Sequence, residues 1–373
     1  MNPVCRICGS ADLLPILSLG KMPLANALLT AEELNKPESK YPLDLVFCPH
    51  CSLVQITETV PPEKLFHQYL YFSSFSDTVL QNARSISERM ISLRKLNEKS
   101  LVVEIASNDG YLLQYYHKHG IPVLGIEPAV NVARVAEEKG IRTLCEFFGE
   151  KLAEKLVDQG IKADVIHANN VLAHVADLNG FVEGIRLLLK DNGISVIEVP
   201  YVVDLIERCE FDTIYHEHLC YFSLTALNHL FQKHKLCIQE VERIPIHGGS
   251  LRLFVGKTEI SGQSVIELLN EEKKWGVDKF EIYKNFGQKV EKLKENLKNL
   301  LMDLKQKGKR IAAYGAAAKG TILLNYCGID KKIIEFVVDR NLHKQGRFMP
   351  GVHLPIYSPS RLIEEMPDYV LLL

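Results

Sequence analysis

The spacing of apolar residues changes along the chain, and each change marks a different kind of element. Residues 101 to 120, LVVEIASNDGYLLQYYHKHG, open with a continuous apolar run, cross a polar turn and continue with helical spacing. Such a run predicts a strand buried on both faces. The segment IPVLGIEP predicts a second strand, ending in an acid, and AVNVARVAEEKG a helix. IRTLCEFF, then ADVIHANNVLAHV, then GISVIEVP follow as further strands, with helical stretches between them. Strands alternating with helices of this length predict a parallel sheet with helices on both faces.

The pattern differs on either side of this unit. The first sixty or so residues are punctuated by proline and predict short strands and loops. The second half of residues 62 to 98 has helical periodicity with no internal Pro or Gly. Beyond the sheet, LCIQEVERIPI and GSLRLFVGK, joined through HGG, predict a hairpin closing its edge. Residues 264 to 308, rich in Lys and Glu, predict one or two long helices. A second α/β unit then begins with RIAAYGAAAKG. The final PDYVLLL reads as the first part of a buried strand, so the last unit is expected to be cut short. The expected division is 1–62, 63–260 and 261–373.

Composition narrows the classes. Hydrophobic residues make up 47% and charged residues 24%, an ordinary globular balance. A formal charge of −2 draws the chain neither to nucleic acid nor to an acidic membrane. No apolar run reaches the roughly 18 residues that span a bilayer. The start, MNPVCRICGS, lacks the pattern of a secretory signal. Of the nine cysteines, Cys145, Cys209, Cys220, Cys237 and Cys327 are scattered in apolar stretches. That reads as buried thiols in a reducing compartment, hence a cytoplasmic protein.

The other four form two CxxC pairs, Cys5 with Cys8 and Cys48 with Cys51. Two such knuckles supply four thiolates, the ligand set of a closed tetrahedral zinc site. Four protein ligands leave no open position, so the zinc is expected to be structural. The segment has no basic cluster to bind nucleic acid.

In the central unit, Glu104, a tight turn through Ala106, Ser107 and Asn108, and Gly110 at the expected helix start follow the first strand. Small residues there let the backbone approach a cofactor closely. Glu127 ends the second strand, where an acid can accept both ribose hydroxyls. Asn169 and Asn170 end the fourth and face the cleft. The turn also carries Asp109. A polar, acidic lining fits a cationic sulfonium better than a pyrophosphate, so S-adenosylmethionine is the favoured cofactor.

YLYFSS, EIASNDGYLL, NNVLAHV, YHEHLCYFS and HGGSLR occur in that order behind the cysteine pairs, and YGAAAKG lies in the tail. With these motifs the whole chain resembles the sugar 3-C-methyltransferases that act on nucleotide-linked 4-keto-deoxysugars. The resemblance implies an α/β protein with an N-terminal four-cysteine zinc domain, a central class I S-adenosylmethionine domain and a C-terminal Rossmann-like domain that helps hold the nucleotide sugar. Ala106 stands where that family usually has glycine.

Methylation of a carbon beside a ketone needs a base for the C3 proton, a partner for the enolate oxygen and an in-line methyl donor. Histidine suits the base because it titrates near neutrality. The resemblance implies His218 as base, Glu217 and Tyr215 beside it, and Tyr69 and His174 lining the sugar pocket. Other readings stay open for these residues. His216, Glu217 and His218 offer metal ligands, though adjacent residues point different ways, and the stretch could be a structural turn. His247 reads mainly as a turn residue, with Gly248 and Gly249 allowing close backbone approach to a ligand. YGAAAKG with Asp339 is a weak NAD site. An O- or N-methyltransferase, or a zinc-ribbon interaction protein with a degenerate methyltransferase fold, are the competing functions.

Overall fold

The computed structural model describes residues 3–61, 65, 72–246, 248–258 and 260–373, and three sheets organise them. In the first, β1 (Leu14–Pro23), β2 (Lys40–Phe47) and β3 (Val54–Ile56) pair antiparallel. Leu43, Phe47, Leu53 and Ile56 are buried in its core. One cysteine knuckle precedes β1 and the other joins β2 to β3. Each closes on a backbone hydrogen bond, Gly9 N to Cys5 O and Ser52 N to Cys48 O, both 2.9 Å. Both end in a left-handed residue, Gly9 at φ 77° and Ser52 at φ 60°.

The second sheet holds the parallel strands β4 (Val102–Ile105), β5 (Val123–Ile126), β6 (Thr143–Leu144), β7 (Ala163–Asn169) and β8 (Leu189–Pro200). The apolar residues of β4 and β7 are buried, as continuous runs require. β9 (Cys220–Tyr221) leaves this unit and pairs with β3 of the first sheet. The expected hairpin, β10 (Cys237–Ile244) and β11 (Ser250–Gly256), lies antiparallel at the edge. The order is β10-β11-β8-β7-β4-β5-β6. The chain winds outward in both directions from β4 and β7, which opens a crevice at their carboxyl ends, the usual ligand site of an open α/β sheet.

Two helices, Gln263–Trp275 and Phe280–Gln306, lead to a third sheet. The longer one packs against β1, and Tyr283 stacks on Phe47 with ring centroids 4.6 Å apart. At Gly287 a Cβ would lie 2.5 Å from the Ile16 carbonyl oxygen, so glycine is what lets helix and strand meet. The third sheet is parallel, with β12 (Ile311–Tyr314), β13 (Val337–Val338), β14 (Ile356–Tyr357) and β15 (Tyr369–Leu372) in the order β14-β13-β12-β15. It is stitched to the first unit by a Leu29–Phe348 bridge and by Thr321 Oγ1 donating to the Ala25 carbonyl at 2.9 Å.

Some expectations need correction. The last strand is not buried: β15 is an edge strand with Tyr369, Val370 and Leu372 exposed, because only β12 pairs with it. Of the scattered cysteines only Cys220 and Cys327 are buried; Cys145 is exposed, and Cys209 and Cys237 are half-buried. No helix among the described residues is long and apolar enough to cross a membrane.

Candidate active site and zinc site

The four knuckle sulfurs lie within 4.8 Å of one another, with Cys5 Sγ 3.4 Å from Cys51 Sγ and Cys8 Sγ 3.6 Å from Cys48 Sγ. Zinc–sulfur bonds of about 2.3 Å at tetrahedral angles place sulfurs about 3.8 Å apart. The cluster therefore fits structural zinc. The Cys51 thiol, with help from nearby backbone groups, lowers Cys5, the direction that favours a thiolate ligand.

The predicted cofactor residues converge on the crevice. Glu104 lies in β4, and the turn after it needs conformations that favour glycine: Ala106 at φ 55°, Asn108 at 50° and Gly110 at 75°. This explains why a glycine-rich pattern is usual there, and why Asn108, the best non-glycine for that region, is tolerated. Gly110 lies within the turn, and the helix begins only at Leu113. Glu127, just past β5, accepts from Asn108 N at 3.0 Å and Ala129 N at 2.9 Å. Asn169 ends β7, and Asn170 follows at φ 54° with its N–H on the Glu198 carbonyl at 2.8 Å.

The lining is acceptor-rich. Among the described residues, Glu104 Oε2, Ser107 Oγ, Asp109 Oδ1, Asn169 Oδ1 and Asn170 Oδ1 are buried without a hydrogen-bond partner. Unpartnered buried acceptors are costly and point to an absent donor. The ribose hydroxyls and ammonium of S-adenosylmethionine would supply such donors, and its sulfonium a positive charge to face the acids. Burial raises Glu104 well above the usual carboxylate range, and the charges of Glu127 and Asp109 add to this. Burial likewise raises Glu127. A cation brought into the crevice would reverse both shifts.

Several residues of this site were missed from sequence. Tyr111 hydrogen-bonds Glu104 and Asn169. Lys139 pairs with Asp109 at 3.1 Å. Ser73 N donates to Asn108 Oδ1 at 2.9 Å and Ser74 Oγ donates to Asp109, so the segment before the helix Asp77–Arg94 docks on the cofactor turn. No pattern in the chain marks these pairings, though the polar run from Ser73 to Ser76 was available.

The histidine-rich loop is hung from both neighbouring units. Leu219 N donates to the Ala173 carbonyl at 2.8 Å, and Ile56 N donates to the Leu219 carbonyl at 3.0 Å. The first bond brings His218 beside His174, with ring centroids 4.8 Å apart at 76°. His218 Nδ1 lies 2.9 Å from the Thr213 carbonyl and Nε2 lies 3.0 Å from the Tyr215 hydroxyl. A carbonyl only accepts, so Nδ1 carries a proton, and in the neutral ring Nε2 accepts from Tyr215. The lone pair of a base is thereby fixed at Nε2. Burial pushes His174 down to about 4, so it stays neutral at working pH, and its ring is hydrogen-bonded to the Glu217 backbone.

His216, Glu217 and His218 do not share one focus. His216 Nε2 donates to the Pro42 carbonyl at 3.1 Å and the ring meets Tyr41 edge-on. Glu217 turns to Asn26, whose Nδ2 donates to Oε1 at 2.7 Å. Burial pushes Glu217 up to about 7, and the Asn26 hydrogen bond works against this. Tyr69 and His247 lie outside the described residues. Gly248 and Gly249 do admit a close approach, but to protein: a Cβ would meet Glu210 Oε2 at 2.4 Å and Asp204 Oδ2 at 2.1 Å respectively. In the C-terminal unit Asp339 is used by its own turn. It accepts from Ala316 N and Asn341 N, both at 2.8 Å, and Lys344 Nζ donates to the Ala316 carbonyl at 2.8 Å.

Comparison with known proteins agrees with this arrangement. Residues 5–66 match the model of a zinc binding domain, 80–241 that of a methyltransferase domain and 245–373 that of a C-methyltransferase C-terminal domain. C-methyltransferase NovU of Streptomyces niveus is 34% identical over 372 residues, covering 99% of this chain and 89% of NovU. A ubiquinone biosynthesis O-methyltransferase of Bartonella quintana is 29% identical over 101 residues, 27% of this chain and 41% of that one. Among solved structures, magnesium protoporphyrin IX methyltransferase of Synechocystis PCC 6803 with bound SAM covers 48% of this chain and 79% of its own, at 13% identity and a TM-score of 0.37. The relationship to NovU runs through the knuckles, the crevice and the C-terminal unit alike, and on that ground this chain belongs to the S-adenosylmethionine-dependent C-methyltransferase family.

Proposed function

We propose that this enzyme methylates C3 of a nucleotide-linked 4-keto-6-deoxyhexose in the cytoplasm, with His218 as the base. The observation that carries the reading is the hydrogen bond from His218 Nδ1–H to the Thr213 carbonyl, which leaves Nε2 as the basic atom. Tyr215 holds that lone pair until substrate arrives. The C3–H bond, acidified by the neighbouring ketone, gives its proton to Nε2, and its electron pair moves into an enolate on the C4 oxygen. S-adenosylmethionine supplies the electrophilic methyl that C3 takes up as the ketone re-forms. His174 packs edge-on against the base, and in its neutral form its one N–H serves the Glu217 backbone, so it is assigned to line the sugar pocket, while Tyr215, released from Nε2, is placed to hydrogen-bond near the developing enolate. Glu217 and Tyr69 are assigned to the sugar pocket. A general base of this kind contributes roughly 10²–10⁴-fold, and orientation and enolate stabilisation supply the rest.

The test is solvent deuterium exchange at C3, followed by NMR, across dTDP-, GDP- and CDP-4-keto-6-deoxyhexoses. Exchange that requires His218, with methyl appearing on C3 once S-adenosylmethionine is added, is the expected result. Methyl transfer to a hydroxyl or amine, without exchange, would replace this reading with an O- or N-methyltransferase.

A further inference from the structure

Glu217 is a carboxyl group almost wholly buried between two units, yet it has no cationic partner among the described residues. Its Oε1 accepts from Asn26 Nδ2 at 2.7 Å across 191 positions of sequence. His216 and His218 flank it on its own segment and His174 comes from the turn after β7, while its ionisation is set by burial and opposed by Asn26. Asn26 is the one group that favours its ionised form.

Asn26 is itself held firmly. The next residue back, Ala25, takes the Thr321 hydroxyl of the C-terminal unit at 2.9 Å. Leu29 exchanges two backbone hydrogen bonds with Phe348, N to O at 3.0 Å and O to N at 2.9 Å. The segment from Ala25 to Leu29 is therefore fixed to the third unit on one side and reaches the catalytic loop on the other.

We propose that Asn26, supplied by the zinc-binding unit, is a positioning residue for Glu217: it occupies Oε1 and so presents Oε2 as the acceptor for a sugar hydroxyl. This rests on the assignment of Glu217 to the sugar pocket. An amide at position 26 does what neither an acid nor a hydrocarbon can do there. It donates to the carboxylate without adding charge, and so fixes its rotamer and favours its ionised form.

The experiment measures kcat/KM against pH for Asn26→Ala and the isosteric Asn26→Asp, alongside Glu217→Gln. Zinc content and S-adenosylmethionine affinity serve as controls for folding. Loss of one charge-assisted hydrogen bond corresponds to about 10- to 100-fold in kcat/KM. Asn26→Ala is expected to lose that much, with its acid limb moved to higher pH because Glu217 then ionises less readily. Asn26→Asp is expected to be worse than Asn26→Ala above neutral pH, where two carboxylates face each other. It should recover as pH falls and the pair shares one proton. Equal, pH-independent losses in both variants would mean that Asn26 only supports the fold, and full activity in either would also overturn the proposal. Glu217→Gln separates the two claims. If it is impaired while Asn26→Ala is not, the positioning role alone fails; if it is fully active, the assignment of Glu217 to the site fails as well.

Discussion

At the scale of single residues, the fixed tautomer of His218 gives the sharpest expectation. Replacing it with Asn removes the proposed base but leaves the crevice at β4, β5 and β7 untouched. Turnover is expected to fall by at least about 10²-fold, with the S-adenosylmethionine dissociation constant within about threefold of the parent by calorimetry. Equal loss of both would make His218 structural. Ala106 allows a different test. At φ 55° an alanine carries a backbone cost of about 1–2 kcal/mol, while glycine costs about 0.4–1 kcal/mol through the unfolded chain. Ala106→Gly is therefore expected to be neutral to slightly stabilising in thermal denaturation, with cofactor affinity kept. His174 makes a prediction about pH. Its folded value of about 4 lies below the unfolded 6.5, so between those values the unfolded chain binds the extra proton and stability falls as pH is lowered. Raised carboxyls such as Glu217 act in the opposite sense over about pH 4.5 to 7, so the net slope does not isolate His174. Comparison with His174→Gln does: the parent should lose stability relative to the variant from pH 6.5 to 4, by up to about 1.4 kcal/mol per unit. Much at this scale was legible beforehand. The cysteines are read from their CxxC spacing, and the acids and asparagines from their places at the ends of strands. Asn26 and Ser74 are not, because their roles come from loops meeting across 191 and 35 residues.

Elements were legible where their period was strong and their packing two-sided. The strands around Val103, Leu124 and Ile166 are continuous apolar runs, and each lies inside the central sheet with both neighbours present. The final strand looked the same in sequence but lies at an edge, since a run of Val and Leu records β-propensity and not the number of neighbours. The helix Phe280–Gln306 was read from its spacing, yet the reason for its glycine is visible only against β1. In an exposed helix Gly287→Ala would gain about 1 kcal/mol. Here the new methyl would stand 2.5 Å from a backbone carbonyl that cannot rotate away, and overpacking of that kind costs about 1–3 kcal/mol. In a rigid contact the clash outweighs the gain in helix propensity, so Gly287→Ala is expected to lower the thermal midpoint by a few degrees. A rise in the midpoint would mean that the helix slides on β1 more readily than the packing of Tyr283 on Phe47 suggests.

The four zinc-site cysteines belong to a different unit from the cofactor crevice, yet that unit is tied to the histidine-rich loop. The knuckle that carries Cys8 is gripped by Asn179 and Lys233 of the central unit, at 2.9 Å to the carbonyls of Arg6 and Ile7 respectively. From the same unit β3 pairs with β9, Pro42 receives His216, and Asn26 holds Glu217. Structural zinc contributes apparent folding free energies of about 10–16 kcal/mol in small domains, as much as the whole stability of a typical protein. Without zinc the first sheet keeps its buried Leu43, Phe47, Leu53 and Ile56 but loses the closure of both knuckles, whereas the central sheet contributes no zinc ligand. Stripping zinc with a chelator, or replacing Cys48 with Ser, is expected to abolish methyl transfer while S-adenosylmethionine still binds, with affinity within about threefold. Re-adding zinc to the stripped parent should restore turnover. Cofactor binding lost in step with zinc would mean that the two units unfold together, and full turnover without zinc would mean that the knuckles do not support the catalytic loop. The separation of the two activities is the informative outcome, because it follows only if the methyl donor belongs to one unit and the alignment of the acceptor sugar depends on another.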